Sequence, residues 1–578
     1  MAGGVLGHGA TAPAGEKSIA PLWVGPAFSG SWFTPERAGE GFILQILDNG
    51  TALLLWFTYP PAGSGAQQAW IYADNGSIEG DRIRFASAVT TRGGRFGVTT
   101  GSVQAQRVPW GTVEFRFTSC VAGEVTYAGP AGWGSGARQI VRLTEHSELG
   151  CSGKQRVGAS GARTMQGLRQ RSGAWFNPAS DADGWALEEL PDGRALLYWF
   201  THDSAGEQAW TYGEAATSGD RVIITNYRPI GTRFGSAFDA SRVVLTTWGS
   251  LDLAFDGCDR GTLAYASLDS AFGSGTLSPI RLSTLAGAAC LASKPSVPAN
   301  GAWTAGATMA SMQSEVGTAT IGTRSCAAGG FVAQRDFQCY DAATNSWTVL
   351  APLPAGRDHG EAVAYDGAIY FTGGNGEEGD ASGWRYDFGA NRWQAVPELP
   401  NVAASGAAML HGFAYFGGFT AIYQYDPRSR QARLIPGDTF APRDHSQLVA
   451  FQGEIWHFGG RGNSGAPNAV VSIFDPASET WRQGPMLRNP RAGFAASASS
   501  TVLFVAGGEK LDAPTAVINT AEAIAAGDSS WTALPSLPFG VHGVGSMLYG
   551  NAFYTLGGSR VQATAINFGD VQIYRFGP

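Results

Sequence analysis

A Gly-Gly pair recurs six times in the second half of this 578-residue chain: Gly329-Gly330, Gly373-Gly374, Gly417-Gly418, Gly459-Gly460, Gly507-Gly508 and Gly557-Gly558, at spacings of 44, 44, 42, 48 and 50 residues. An apolar run precedes each pair, as in Ala368-Ile369-Tyr370-Phe371 and Ala552-Phe553-Tyr554-Thr555. After five of the pairs, an apolar residue is followed by a second marked position seven residues on: Tyr340 to Trp347, Tyr386 to Trp393, Tyr425 to Ala432, Phe474 to Trp481 and Ile524 to Trp531. Self-similarity at this period means units that cannot bury a core singly and must stack.

The type of unit follows from composition. Glycine is frequent (81 residues), Trp reaches 18, and charged residues are only 15%, against a usual quarter. Short aromatic runs punctuated by glycine, without long 3.6-residue periodicity, point to an all-β chain. The repeat carries Leu-Pro, Arg, an apolar strand, Gly-Gly, a variable loop, Tyr-Asp and Trp. It is most complete as Leu353-Pro354, Arg357, residues 368–371, Gly373-Gly374, Tyr386-Asp387 and Trp393. This pattern resembles the kelch repeat over residues 302–578, and the resemblance implies a six-bladed kelch β-propeller. Three blades depart from it: Ala432 replaces Trp, Ala525 replaces Asp, and the sixth unit ends at Pro578 before any Trp. A ring must hide its first and last edges, so the strand around Trp303 is expected to complete the sixth blade.

The first half is a tandem duplication. Residues 30–151 repeat as 173–290: Gly30-Ser31-Trp32-Phe33 matches Gly173-Ala174-Trp175-Phe176, Gln68-Ala69-Trp70 matches Gln208-Ala209-Trp210, and Arg95-Phe96-Gly97 matches Arg233-Phe234-Gly235. Each copy reads as seven or eight short strands, in the first copy at 42–47, 52–59, 67–73, 82–88, 112–118, 123–128 and 139–144. A meander of this length predicts an antiparallel barrel or a small sandwich, either of which manages its sheet edges. The domain boundaries that follow are a tail at 1–20, β modules at 21–151 and 172–290, linkers at 152–171 and 291–300, and the propeller at 301–578.

The six cysteines obey the same register and contain no Cys-x-x-Cys. Cys120 and Cys258 each lie ten residues after a matched Trp, so Cys120–Cys151 and Cys258–Cys290 are the expected pairs. Cys326 and Cys339 fall on neighbouring strands of the first blade and form a third. Disulfides imply an oxidising compartment. No run of 18 apolar residues suggests a membrane span, and residues 1–21 lack the apolar core of a signal peptide. The expectation is a mature secreted or extracytoplasmic protein, of periplasm or cell surface, written with a start Met. A net charge of −8 argues against nucleic acid as a partner.

Candidate functional residues come from counting sixteen positions back from each Gly-Gly pair, which gives Gln313, Arg357, Asn401, Arg443, Arg491 and Val541. Two residues further on stand Glu315, His359, Ala403, His445, Gly493 and Gly543, with His542 beside the last. The triplets Arg357-Asp358-His359 and Arg443-Asp444-His445 are identical. A channel mouth lined in this way would hold an anion, most naturally a carboxylate, through Arg357, Arg443, Arg491, Gln313 and Asn401. Glu315, His359, His445 and His542 are the candidate proton-transfer groups. The structural alternative is that the Arg and His side chains bond backbone carbonyls, and His411 and His457 read as structural. No short ligand spacing supports a metal, and no cofactor is expected. Glu188-Glu189 and Glu377-Glu378 read as solvated charges, and the repeated Trp32, Trp56, Trp70, Trp175, Trp199 and Trp210 as core.

The leading expectation is a secreted bacterial binding protein that holds an extracellular glycan or protein at the propeller loop face. Loops at 376–382, 462–466 and 510–515 vary in length there, as binding loops do. The alternative is a channel-mouth enzyme on an acidic sugar, similar to a kelch-class sialic-acid mutarotase or a uronate lyase. A third reading is a structural or adhesive cell-surface component.

Overall fold

A computed structural model describes residues 22–577 apart from 97–104, 147–148, 150–169, 181–183, 289, 292–293, 378–382, 436–442, 463–464, 513–515 and 562–565. In the first module, eight antiparallel strands from Gly30–Phe33 to Ser135–Arg142 pair in chain order, and the last pairs with the first to close a barrel. The sequence left barrel and sandwich open; closure leaves no sheet edge exposed. The second module repeats the order, and its short strand Ile280–Arg281 pairs with Gly173–Phe176 to bring the sheet back on itself. The disulfide Cys258–Cys290 is present. Cys120 is disulfide-bonded, while Cys151, its expected partner, lies outside the described residues.

The run Ala52-Leu53-Leu54-Leu55-Trp56-Phe57 lacks the polar alternation of a half-exposed strand because both faces are covered. Leu54 and Trp56 fill the barrel, while Phe57 joins Ile43, Trp70, Tyr198, Phe200 and Trp210 in a cluster between the modules. That interface is two-fold in its hydrogen bonds. Gln68 Nε2 donates to the Trp210 carbonyl and Gln208 Nε2 to the Trp70 carbonyl. Trp70 Nε1 donates to the Thr201 carbonyl and Trp210 Nε1 to the Thr58 carbonyl. Duplicated modules thus meet as a symmetric dimer does, through one patch used twice. All six repeated Trp residues are buried. Glu188 departs from its expectation as a solvated charge: it is fully buried in this interface and accepts from Ser31 Oγ at 2.7 Å and from Thr144 Oγ1. Its neighbour Glu189 turns the other way, to Arg171, and Glu377 pairs with Arg335 while Glu378 lies outside the described residues.

The second half forms six four-stranded antiparallel blades. The seven-residue spacing is a cross-strand pair: Tyr340 faces Trp347, Tyr386 faces Trp393, Tyr425 faces Ala432 and Phe474 faces Trp481. In three blades the Trp indole ties back to the preceding chain. Trp347, Trp393 and Trp531 donate to the carbonyls of Ala307, Ala351 and Pro485. Strand Ala302–Ala305 completes the sixth blade, with Trp303 opposite Tyr574. Cys326 and Cys339 are paired across adjacent strands, with Cα atoms 3.9 Å apart. The Gly-Gly pairs sit where blades crowd: a Cβ on Gly373 would stand 1.7 Å from the Val402 carbonyl oxygen.

Within a blade, the turns joining first to second and third to fourth strands share one end. The loops joining second to third strands, and blade to blade, share the other. The barrel modules dock at the first end. Arg428 donates to the Gly50 carbonyl at 2.6 Å, Gly287 N–H donates to His411 Nε2 at 3.0 Å, and Lys294 of the following linker pairs with Asp528. His411 therefore joins a module to the propeller. The second end carries the channel mouth.

Candidate functional site

Six residues, one per blade, form a ring around the channel: Glu315, His359, Ala404, His445, Gly493 and Gly543. All are left-handed, with φ of 54°, 59°, 57°, 51°, 62° and 60°. Their backbones are linked head to tail. Glu315 N–H donates to Gly543 O at 2.7 Å, His359 to Glu315 at 2.9 Å, Ala404 to His359 at 3.0 Å, Gly493 to His445 at 2.8 Å and Gly543 to Gly493 at 2.8 Å. The sixteen-residue count thus finds five of the six ring members. In the third blade it gives Ala403, and the structure has Ala404 instead. Ala404 lies one residue nearer its Gly-Gly pair than the other ring members, and next to it the Glu361 carboxyl accepts the N–H groups of both Ser405 and Gly406 at 2.8 Å.

Left-handed backbone costs an ordinary residue about 1–2 kcal/mol, and three ring positions carry that strain with ionisable side chains. They converge. His359 Nε2 and His445 Nε2 are 3.2 Å apart, and Glu315 Oε2 lies 3.6 Å from the first and 3.8 Å from the second. Glu315 Oε1 lies 3.4 Å from His542 Nδ1, whose ring donates from Nε2 to the Val561 carbonyl. Glycine at the opposite ring positions makes the room: a Cβ on Gly543 would stand 2.4 Å from Glu315 Oε1. Glu315, His359 and His445 border a small cavity of about 50 Å³.

Each imidazole of the repeated triplet is held by the residue before it. His359 Nδ1 is 2.5 Å from Asp358 Oδ1, and His445 Nδ1 is 3.2 Å from Asp444 Oδ2. Arg461 pairs with Asp444 at 3.2 Å and with Glu509, and lies 3.1 Å from both ring nitrogens of His445. Burial alone would raise the Glu315 carboxyl, but His445, His542 and His359 pull it down to about 2. Burial opposes the charge on His359 and His542, yet Asp358 and Glu315 for the first, and Glu315 and Glu509 for the second, hold their pKa values above the ordinary imidazole.

The other expected residues go elsewhere. Arg491 is fully buried, with donors on the Gly507 and Thr520 carbonyls and on Glu522. Arg443 reaches the Val470 carbonyl and Ser472 Oγ. Arg357 reaches the carbonyls of Gly356 and Glu377 and lies over the Trp384 ring. Gln313 Nε2 donates to the Gly329 carbonyl, sixteen residues on, as Arg491 does to Gly507. None of the three Arg, nor Gln313 or Asn401, borders the cavity. Sequence reasoning did not single out Arg461 and Glu509. Both follow a Gly-Gly pair directly, and that placement is the signal that would have found them.

No protein-family model matches the chain. It is similar to Kelch-like protein terF of Aspergillus terreus, at 28% identity over 258 residues, 40% of this chain and 55% of that protein. Alpha-scruin of Limulus polyphemus is 24% identical over 200 residues, 31% of this chain and 22% of that one. Kelch-like protein 35 of Mus musculus is 27% identical over 172 residues, 28% of this chain and 29% of that one. The chain thus spans about half the length of the first of these relatives and under a third of the others. The solved structure of YjhT superposes with a TM-score of 0.41 at 16% identity, covering 46% of this chain and 95% of YjhT. The C-terminal half is a kelch-repeat β-propeller.

Proposed function

We propose that this kelch-repeat propeller protein is an extracytoplasmic binding protein whose open propeller face takes a protein partner. Kelch propellers suit a protein-binding or adhesive role. The observation that carries the reading is the division of the two faces. The barrel modules cover the end bearing the turns around Gly412 and Gly453. The other end carries exposed apolar side chains beside the channel mouth: Met312 and Val332 of the first blade, Val561 and Ile566 of the sixth. Asn567 ties these loops together by donating to the carbonyls of Met312 and Phe331. Val332 is left-handed at φ 67°, a strained state for a β-branched residue. Clustered apolar side chains of this kind mark protein contacts.

Two disulfides, Cys258–Cys290 and Cys326–Cys339, support an oxidising compartment. Among the described residues no helix is long and apolar enough to cross a membrane. Parts of the loops at 376–382, 462–466 and 510–515 lie outside the described residues. The test is binding of the purified chain to arrays of extracellular proteins and of glycans, alongside Met312→Asp and Val332→Asp. Protein binding lost in both variants supports the reading. Binding to glycans alone, or binding that survives both substitutions, overturns it.

A further inference from the structure

The geometry points to a divalent transition-metal site at the centre of the propeller, with Zn²⁺ as the best-fitting ion, held by His359 Nε2, His445 Nε2 and Glu315 Oε2. These three atoms come from three blades, so no short spacing in the sequence announces them. Their separations of 3.2, 3.6 and 3.8 Å are those of ligand atoms around one ion. A point equidistant from the three lies ~2 Å from each, the length of Zn–N and Zn–O bonds, ~2.0–2.2 Å. Two imidazoles and one carboxylate also suit the borderline hardness of Zn²⁺ better than that of Ca²⁺ or Mg²⁺, which prefer all-oxygen cages.

The surroundings are those of a metal centre. A ligating imidazole is normally oriented by a carboxylate on its other nitrogen. Asp358 does this for His359, and Asp444 for His445, at their Nδ1 atoms. The duplicated Arg-Asp-His triplet therefore delivers a ligand together with its orienting group, twice. His542 Nδ1 does the same for the third ligand: it lies against Oε1 of Glu315 and leaves Oε2 toward the two imidazoles. Charge agrees. Glu315, Asp358, Asp444 and Glu509 surround the site and face Arg461 and His542, an excess of negative charge that a divalent ion offsets. Arg461 lies 3.1 Å from His445 Nε2, so the ion displaces that contact and leaves Arg461 its pairings with Asp444 and Glu509. The cavity beside the three atoms, about 50 Å³, has room for water as a further ligand. Three protein ligands plus a water is the open arrangement of sites that bind or activate small molecules.

The experiment uses the full chain, stripped with a chelator and then titrated with Zn²⁺ and, separately, with Co²⁺. The expected result is one ion per chain by elemental analysis, a rise in melting temperature, and a visible Co²⁺ spectrum. Mg²⁺ and Ca²⁺ should not compete. His359→Ala and His445→Ala should each abolish stoichiometric binding. Asp358→Asn, which keeps all three ligands, should weaken it about 10–100-fold. Binding unchanged in the His359→Ala/His445→Ala double variant, or none in the parent chain at equimolar ion, overturns the site. Should the Ala variants fail to fold, X-ray absorption on the Zn²⁺-loaded parent chain decides. A first shell with two imidazoles supports the assignment, and any other shell defeats it.

Discussion

Phe96 of the first module packs into the barrel of the second, and Phe234 of the second packs into the barrel of the first. The two environments match residue for residue. Phe96 lies 5.4, 5.4 and 4.9 Å from the rings of Trp199, Tyr265 and Phe272. Phe234 lies 5.5, 5.7 and 4.7 Å from Trp56, Tyr127 and Trp133. The modules are thus joined by a reciprocal exchange as well as by the apolar interface.

Phe234 is almost fully buried, whereas Phe96 is half-buried. Phe234→Ala is expected to destabilise the chain by ~3–5 kcal/mol, the usual cost of a large aromatic deleted from a core. Phe96→Ala should cost less. Urea unfolding followed by Trp fluorescence measures both; equal costs would contradict the burial difference.

The channel ring is strained at His359 and His445, while Gly493 and Gly543 occupy the same conformation freely. His359→Gly and His445→Gly should leave stability within ~1 kcal/mol of the parent, because relief of left-handed strain offsets lost contacts. Thermal unfolding of the metal-free protein checks this. A loss of several kcal/mol would mean that these side chains hold the ring together.

Cys326–Cys339 closes a short loop, at a sequence separation of 13, and Cys258–Cys290 a longer one, at 32. In the chain-entropy account their removal by Cys→Ser costs ~3 and ~4 kcal/mol respectively. Denaturant midpoints of the two double variants test the order. A reversed order would locate the stabilisation in the native blade rather than in the unfolded chain.

His146 is buried, and burial first, then Arg142, lowers its pKa to about 3 from an ordinary 6.5. Between those values the unfolded chain binds the proton and the folded chain does not. The contribution to stability is therefore complete above pH ~6.5 and is lost as pH falls toward 3, by up to ~1.4 kcal/mol per unit. In His146→Leu that acid slope should shrink; an unchanged slope would assign acid sensitivity to other groups.

Much of this was legible in advance, for identifiable reasons. The Gly-Gly ladder marks a steric demand that recurs wherever two blades meet, and the seven-residue spacing is the length of one hairpin. Trp303 was readable as the closing strand because a ring leaves no edge unpaired. Glu188 is not solvated because the first module covers it, and a carboxylate near a turn carries no local sign of a partner so far along the chain. The Arg residues share the repeat's register, but register says nothing about which way a long side chain turns, and these turn into the blades.

Sequence was enough for the all-β class, the duplication, the six blades and the position of five of the six ring residues within their repeats. Each of these is a periodicity along the chain, written in spacings of 42–50 residues for the blades and as a repeat of residues 30–151 at 173–290 for the duplication. Tertiary structure alone decided which Phe plugs which barrel, which propeller face stays open, and that Glu315, His359 and His445 meet. Those outcomes depend on closure of a ring and docking of whole modules, where atoms far apart in the chain come within 4 Å, and no local spacing encodes that distance.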